Sequence, residues 1–196
     1  MMRHMKTFVL AALALAAPSA RAAESKMKPK TPAAAVAALV RFTAPPTWHP
    51  VEYANSEGAD PVVRFERLSD AITIKGYGAP GSAYATPEAF LAGPAATSQG
   101  AAPEAAGTAT VAGKTLKLYR RHFQVDLPDP HGPPAPVMMG SELFAILPVG
   151  GKRFVVLSCV RESPAPDLED VGGKAWAAFL KTVKPAGGAA KPAKKK

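Results

Sequence analysis

Cysteine is almost absent from this chain, because its 196 residues include only one, Cys159. One thiol cannot form an internal disulfide, so the fold cannot depend on such a bond. Cys159 lies inside the apolar run of residues 154–160. A reactive thiol needs exposure and a nearby cation. We therefore expect a buried thiol that packs as a small hydrophobic side chain.

A basic excess is also missing from the body of the chain, although the formal net charge is +9. Residues 1–30 and 184–196 hold 11 of the 24 basic side chains and only one of the 15 acidic ones. Residues 31–183 therefore carry 13 basic and 14 acidic side chains, a net charge of −1. Without a basic face to contact phosphates, nucleic-acid binding is not expected.

The only long apolar run near a terminus, residues 8–17, is too short to span a bilayer. Arg3 and Lys6 precede it, and the small residues Ala20 and Ala22 follow it. This order is typical of a secretory signal peptide. We therefore expect an exported protein, periplasmic or secreted, with no transmembrane segment in the mature chain.

The remaining organisation follows from composition. We predict a signal peptide over residues 1–22, a disordered leader over residues 23–30, one globular α+β domain over residues 31–184, and a disordered lysine-rich tail over residues 185–196.

Residues 143–160 predict a β-hairpin at the centre of this domain. Its two runs are apolar on both alternating faces, so we expect it in the middle of an antiparallel sheet that is covered on both sides. Residues 62–68 and 71–77 predict a further antiparallel pair, because only a tight turn separates them. Residues 95–110 are alanine, glycine and polar residues, and we expect a surface loop there.

Two helices and one irregular strand complete the expected elements. Thr86 and Pro87 form a capped helix start, and the amphipathic pattern of residues 168–183 predicts a closing helix that begins after Gly172 and Gly173. In the strand at residues 115–125, the large apolar residues change face, which predicts a β-bulge at residues 119–122.

One glycine pattern, residues 76–81, matches G-x-G-x-x-G. Pro80 delays the helix that a dinucleotide site requires, so we interpret the pattern as a glycine-rich turn. No cofactor is expected.

Two imidazoles and two carboxylates lie close together around the end of the irregular strand. A divalent metal could be held by His122, Asp126, Asp129 and His131. Their spacing matches no strong ligand pattern, so the alternative is a strand histidine followed by polar loop residues. No hydrolase motif accompanies them.

Five prolines in residues 126–140 make a stiff connection that suits partner contact, or that is only a connection. The candidate binding residues are Pro128, Asp129, His131, Pro133, Pro134 and Met138. In the tail, Lys194, Lys195 and Lys196 either contact anionic surfaces or form a solvated end.

The order of landmarks resembles the PsbP-like superfamily over about residues 40–184. That superfamily includes photosystem II extrinsic subunits, Mog-type proteins and DcrB-like envelope proteins. The landmarks are Phe42-x-x-Pro45-x-x-Trp48, Thr86-Pro87-Glu88-x-Phe90-Leu91, Gly113-Lys114, the central hairpin and the closing Phe179-Leu180-Lys181-Thr182-Val183. The resemblance implies an antiparallel sheet flanked by helices, an α/β/α sandwich, and a binding or assembly role.

We therefore expect a non-catalytic exported binding or assembly domain. The sequence does not identify its partner, and an envelope protein is one candidate. Two alternatives remain: a metal-dependent or hydrolytic envelope enzyme that uses the cluster from His122 to His131, and a structural protein tethered to a surface through its cationic tail.

Overall fold

The computed structural model describes residues 31–51, 59–98, 100–125, 139–162 and 171–187. The helices are α1 (Pro32–Ala37), α2 (Pro87–Ala92) and α3 (Val171–Thr182). The strands are β1 (Val40–Arg41), β2 (His49–Val51), β3 (Val62–Arg67), β4 (Asp70–Tyr77), β5 (Glu104–Val111), β6 (Lys114–Gln124), β7 (Met139–Gly150), β8 (Arg153–Arg161) and β9 (Lys184–Pro185).

Seven of the described strands form one antiparallel sheet in the order β2-β3-β4-β8-β7-β6-β5. The predicted central hairpin is confirmed, because β8 lies between β4 and β7 and both strands have neighbours on each side. The predicted antiparallel pair is confirmed as β3 and β4. The short strands β1 and β9 pair separately, beside the end of α3.

Apolar side chains cover both faces of the sheet. Val155 and Leu157 of β8 belong to a core cluster that also holds Val36 of α1 and Phe179 of α3. The residues that alternate with them, such as Phe154, belong to a second cluster around α2. The chain is therefore an α+β protein built on an antiparallel sheet, with helical residues packed against both faces.

Threonine caps start the two short helices. The side chain of Thr31 accepts a hydrogen bond from the Ala34 N–H, and that of Thr86 accepts one from the Ala89 N–H. A proline follows each cap at the first helical position, where a missing N–H costs nothing. The predicted cap at Thr86 is thus confirmed.

The prediction of a surface loop at residues 95–110 is wrong from Glu104 onward, where β5 pairs with β6. The pairing register shifts between Ala105 and Thr108, and Gly107 within this shift has φ of +97°. This irregularity breaks the two-residue alternation that marks a strand in a sequence. In the rest of β5 most side chains are small, so the sequence shows no clear alternation of large apolar and polar residues.

The β-bulge predicted at residues 119–122 is also wrong. The register of β6 with β7 runs without a shift from Leu118 opposite Ala145 to Gln124 opposite Met139. The large side chains change face because both faces of β6 are covered: Leu118 joins the cluster with α3, whereas Tyr119 packs on the cluster with α2.

The closing helix begins at Val171, before the two glycines rather than after them. A Cβ atom at Gly172 would overlap the carboxylate of Asp70 on β4. Glycine is therefore required by this close approach, and its low helix propensity is overridden by packing. Within the described ranges, no helix has both the length and the apolar character needed to cross a bilayer.

Candidate functional site

The binding residues predicted in the proline-rich connection lie outside the described residues. Pro128, Asp129, His131, Pro133, Pro134 and Met138 all fall within residues 126–138. The tail residues Lys194, Lys195 and Lys196 lie outside them as well. The binding role of the proline-rich connection and the surface contact of the tail therefore stay predictions.

Of the four candidate metal ligands, only His122 is described. Its side chain is exposed on β6, and its backbone N–H donates to Ser98 Oγ at 2.8 Å. Asp126, Asp129 and His131 lie outside the described residues. Among the residues that the structure does describe, no group of three His, Cys, Asp or Glu side chains could hold a metal ion. The metal site predicted at residues 122–131 stays a hypothesis.

Cys159 is half-buried rather than fully buried, and it packs against the cluster that contains α1 and α3. The packing role predicted for this thiol matches that position.

The glycine pattern after β4 forms a turn, as predicted. Gly78 has φ of +81°, and a Cβ atom there would overlap the carbonyl oxygen of Lys152. The Asp60 carboxylate accepts a hydrogen bond from Ser82 Oγ, which holds the turn against the residues before β3. Gly78 therefore serves a close backbone approach.

Aromatic rings fill the sheet face under α2. Tyr77 stacks on Phe154 with 5.4 Å between ring centroids, and Phe90 of α2 lies edge-on to Phe144 at 5.7 Å. Burial, and then the negative charge of Asp60, raise the pKa of the Tyr77 phenol far above its ordinary value. This region is a packed core.

The opposite sheet face has a groove of about 730 Å³, between α3 and the hairpin of β5 and β6. We call it the α3–β5 groove. Its strand side consists of Thr108, Ala109, Thr110, Ala112, Gly113 and Leu118. Its helix side consists of Trp176, Ala177, Leu180 and Lys181, continued by Val183 and Lys184.

A tight turn shapes the strand side of the groove. Ala112 and Gly113 join β5 to β6, with Val111 opposite Lys114, and both turn residues have positive φ, +51° and +74°. Positive φ at both positions is the type I′ arrangement, which matches the twist of paired strands. The hairpin therefore stays narrow, and small side chains leave the space between it and α3.

Trp176 is the large buried residue on the helix side of the groove. It is 4% exposed, and its indole Nε1 has no hydrogen-bond partner among the described residues. A buried donor without a partner costs about 1–3 kcal/mol. This atom is buried within the protein, so the Trp176 side chain contributes apolar ring surface to the groove wall.

The charge of the groove is positive. Lys181 and Lys184 line it, and the described lining residues include no acidic side chain. An apolar wall with two ammonium groups suits a molecule that has an apolar body and a carboxylate.

Asp70 fixes the position of α3 over the sheet. Its carboxylate is buried beside Gly172 in the first turn of the helix, and Arg161 Nε lies 3.1 Å from its Oδ1 atom. A negative charge at a helix N-terminus interacts favourably with the helix dipole. This contact connects β4 and β8 to the helix that carries the groove wall.

A second cavity, of about 290 Å³, lies on the other side of α3. The chain at residues 42–48 closes this side. The Thr43 N–H donates to Thr182 Oγ1 at 3.1 Å, and Phe42 contacts Phe65 and Phe179 with ring centroids 6.0 and 5.8 Å apart.

In comparisons with known proteins, no family model matches the chain, and no curated protein matches it significantly. The arguments for function therefore depend on the geometry of the groove.

Sequence reasoning missed the groove because it missed β5. The amphipathic pattern of α3 did place Trp176 and Leu180 on one side of a helix. One usable signal for the strand was the Ala112-Gly113 pair ahead of a regular strand, which together with Val111 permits a two-residue hairpin.

Proposed function

We propose that this chain is a non-catalytic, exported binding domain whose ligand lies in the α3–β5 groove. The observation that carries the proposal is the groove itself, with its volume of about 730 Å³, its largely apolar wall and its two lysines, Lys181 and Lys184. Ligand sites of about 300–1,000 Å³ with few polar groups are typical of small-molecule pockets.

The chemistry of the groove favours a ligand with an apolar chain and a carboxylate. The apolar chain would cover Leu118 and Leu180, which line the groove. The carboxylate would interact with Lys181 and Lys184.

Export and family membership belong to the same proposal. The signal-peptide pattern of residues 1–22 supports a periplasmic or secreted protein. The helices packed on both sheet faces support a PsbP-like α/β/α arrangement. In such a domain the groove would serve a binding or assembly role.

Calorimetric titration with decanoate tests the proposal, with decanol as the matched probe that lacks the charge. We expect saturable binding of decanoate, and binding of decanol that is at least tenfold weaker. The double variant Lys181→Gln, Lys184→Gln should lose that preference. Lys174→Gln is the control, because Lys174 is an exposed lysine of the same helix that does not line the groove.

Two results would contradict the proposal. One is the absence of saturable binding of either probe. The other is decanoate binding that the double lysine variant and Lys174→Gln change equally, since the site would then lie elsewhere.

A further inference from the structure

We infer that the natural occupant of the α3–β5 groove is an extended peptide segment that pairs with the outer edge of β5 as an additional strand. This inference rests on the proposed function and names the class of ligand. Its peptide has apolar side chains facing the groove and a carboxylate at one end.

The first observation is the position of β5. It is the last strand of the seven-stranded sheet, and no described strand pairs with its outer edge. Eight residues form β5, whereas the strand at the opposite edge, β2, has three and includes Pro50. A proline has no N–H to donate to a ladder, so β2 is protected against strand addition and β5 is not.

The second observation is the direction of the β5 backbone. In a two-residue hairpin, the residues that flank the turn exchange both backbone hydrogen bonds. Val111 and Lys114 are these residues here. In an antiparallel ladder the pairs alternate, so Thr110 and Thr108 direct their N–H and C=O groups away from β6.

The third observation is that this edge and the groove are one surface. Thr108, Ala109 and Thr110 line the groove while their strand forms the sheet edge. A peptide on the edge would place every second side chain over the apolar wall. Strand addition beside a pocket, with backbone pairing for affinity and pockets for specificity, is an established mode of peptide recognition.

Length and charge favour a peptide over a second copy of the chain. The register shift before Thr108 limits the regular edge to Thr108–Val111, which is about 13 Å of strand. If two copies paired at this edge, Lys181 and Lys184 of both copies would bring four positive charges into one interface. A short peptide that ends in a carboxylate fits the short edge and carries a charge opposite to that of the lysines.

The test uses a heptapeptide, acetyl-TVTVTVE with a free C-terminal carboxylate, and the full chain. We expect saturable binding and slower amide hydrogen exchange at Thr110 in the complex. The same peptide N-methylated at every amide keeps its side chains and charge but lacks every N–H, and it should bind at least tenfold more weakly.

A matched pair of variants isolates the backbone of β5. Thr110→Pro removes the outward N–H and follows Ala109, whose extended conformation is compatible with a proline after it. Thr110→Val keeps the N–H. We expect Thr110→Pro to weaken peptide binding at least tenfold and Thr110→Val to change it less than threefold.

The outcomes separate the two claims. Decanoate binding without peptide binding would overturn the inference and leave the proposed function in place. A peptide affinity that neither N-methylation nor Thr110→Pro changes would have the same consequence. Failure of both probes would overturn both claims. A dimer in sedimentation that Thr110→Pro dissociates would assign the edge to a second copy and overturn the inference as well.

Discussion

The two sides of α3 differ in what lies against them. On one side, residues 42–48 pack against the helix through the Phe42 ring and the hydrogen bond between Thr43 and Thr182. On the other side, β5 and its turn leave a groove of about 730 Å³, more than twice the 290 Å³ cavity on the closed side. Each side contains one tryptophan, Trp48 on the closed side and Trp176 in the groove.

This difference separates stability from binding within one helix. Side chains on the closed side contact other parts of the chain, so their removal should lower the free energy of unfolding. On the open side, Trp176, Leu180 and Val183 belong to the buried core, whereas Ala177 and Lys181 are exposed. Replacing these two exposed residues should change ligand affinity and leave stability nearly unchanged. The predictions below test this separation from the largest expected effect to the smallest.

Replacing Phe42 by alanine should produce the largest effect. Phe42 is half-buried and its ring contacts Phe65 and Phe179, so Phe42→Ala should lower the free energy of unfolding by about 2–3 kcal/mol. Denaturant unfolding measures the loss. Phe42→Leu, which keeps most of the buried volume, should lose less than half as much. A loss below about 0.5 kcal/mol for Phe42→Ala would show that residues 42–48 do not hold this side closed.

A pair of bulky substitutions on α3 compares the two sides directly. Ala177 lines the groove, Ala178 lines the cavity on the closed side, and both are exposed. Ala177→Trp should fill the groove and weaken decanoate binding at least tenfold, which is about 1.4 kcal/mol. Ala178→Trp should leave the affinity within twofold. Calorimetric titration of both variants is the measurement, and equal weakening by the two would contradict the location of the site.

Removing the Thr182 hydroxyl should have a smaller effect, on stability alone. Thr182 Oγ1 accepts from the Thr43 N–H and donates to the Phe179 carbonyl oxygen at 2.8 Å. Thr182→Val keeps the shape and loses both hydrogen bonds, so it should cost about 1 kcal/mol in the free energy of unfolding. Decanoate affinity should stay the same. If Thr182→Val changed the decanoate affinity under conditions in which the variant is fully folded, the two sides of α3 would be coupled.

Salt should produce the smallest effect. Lys181 and Lys184 are exposed lysines that line the groove, and an exposed ion pair contributes about 0.2–1 kcal/mol. Raising the ionic strength from 0.05 to 0.5 M, which shortens the Debye length, should therefore weaken decanoate binding about threefold. Decanol binding should not weaken. An equal effect on both probes would show that charge does not contribute.

The sequence was sufficient for the parts of the fold with strong local patterns. The hairpin of β7 and β8 is apolar on both faces, and the cap at Thr86 is a local signal with a direct physical basis.

The parts that failed depend on contacts between distant residues. β5 has small and polar side chains, so its pairing with β6 stabilises it more than any propensity of its own. The start of α3 depends on Asp70, which is about 100 positions away in the chain and needs a residue without a Cβ atom at Gly172. Because the groove lies between these two elements, its existence could not be predicted from the sequence.

The most direct test of the account is the indole N–H resonance of each tryptophan, observed with ¹⁵N labelling during titration with decanoate. Trp176→Phe and Trp48→Phe assign the two signals. We predict that the Trp176 signal moves as decanoate fills the groove beside its ring, while the Trp48 signal on the closed side stays in place. A stationary Trp176 signal at saturating decanoate, or movement of the Trp48 signal alone, would contradict the assignment of the α3–β5 groove as the binding site.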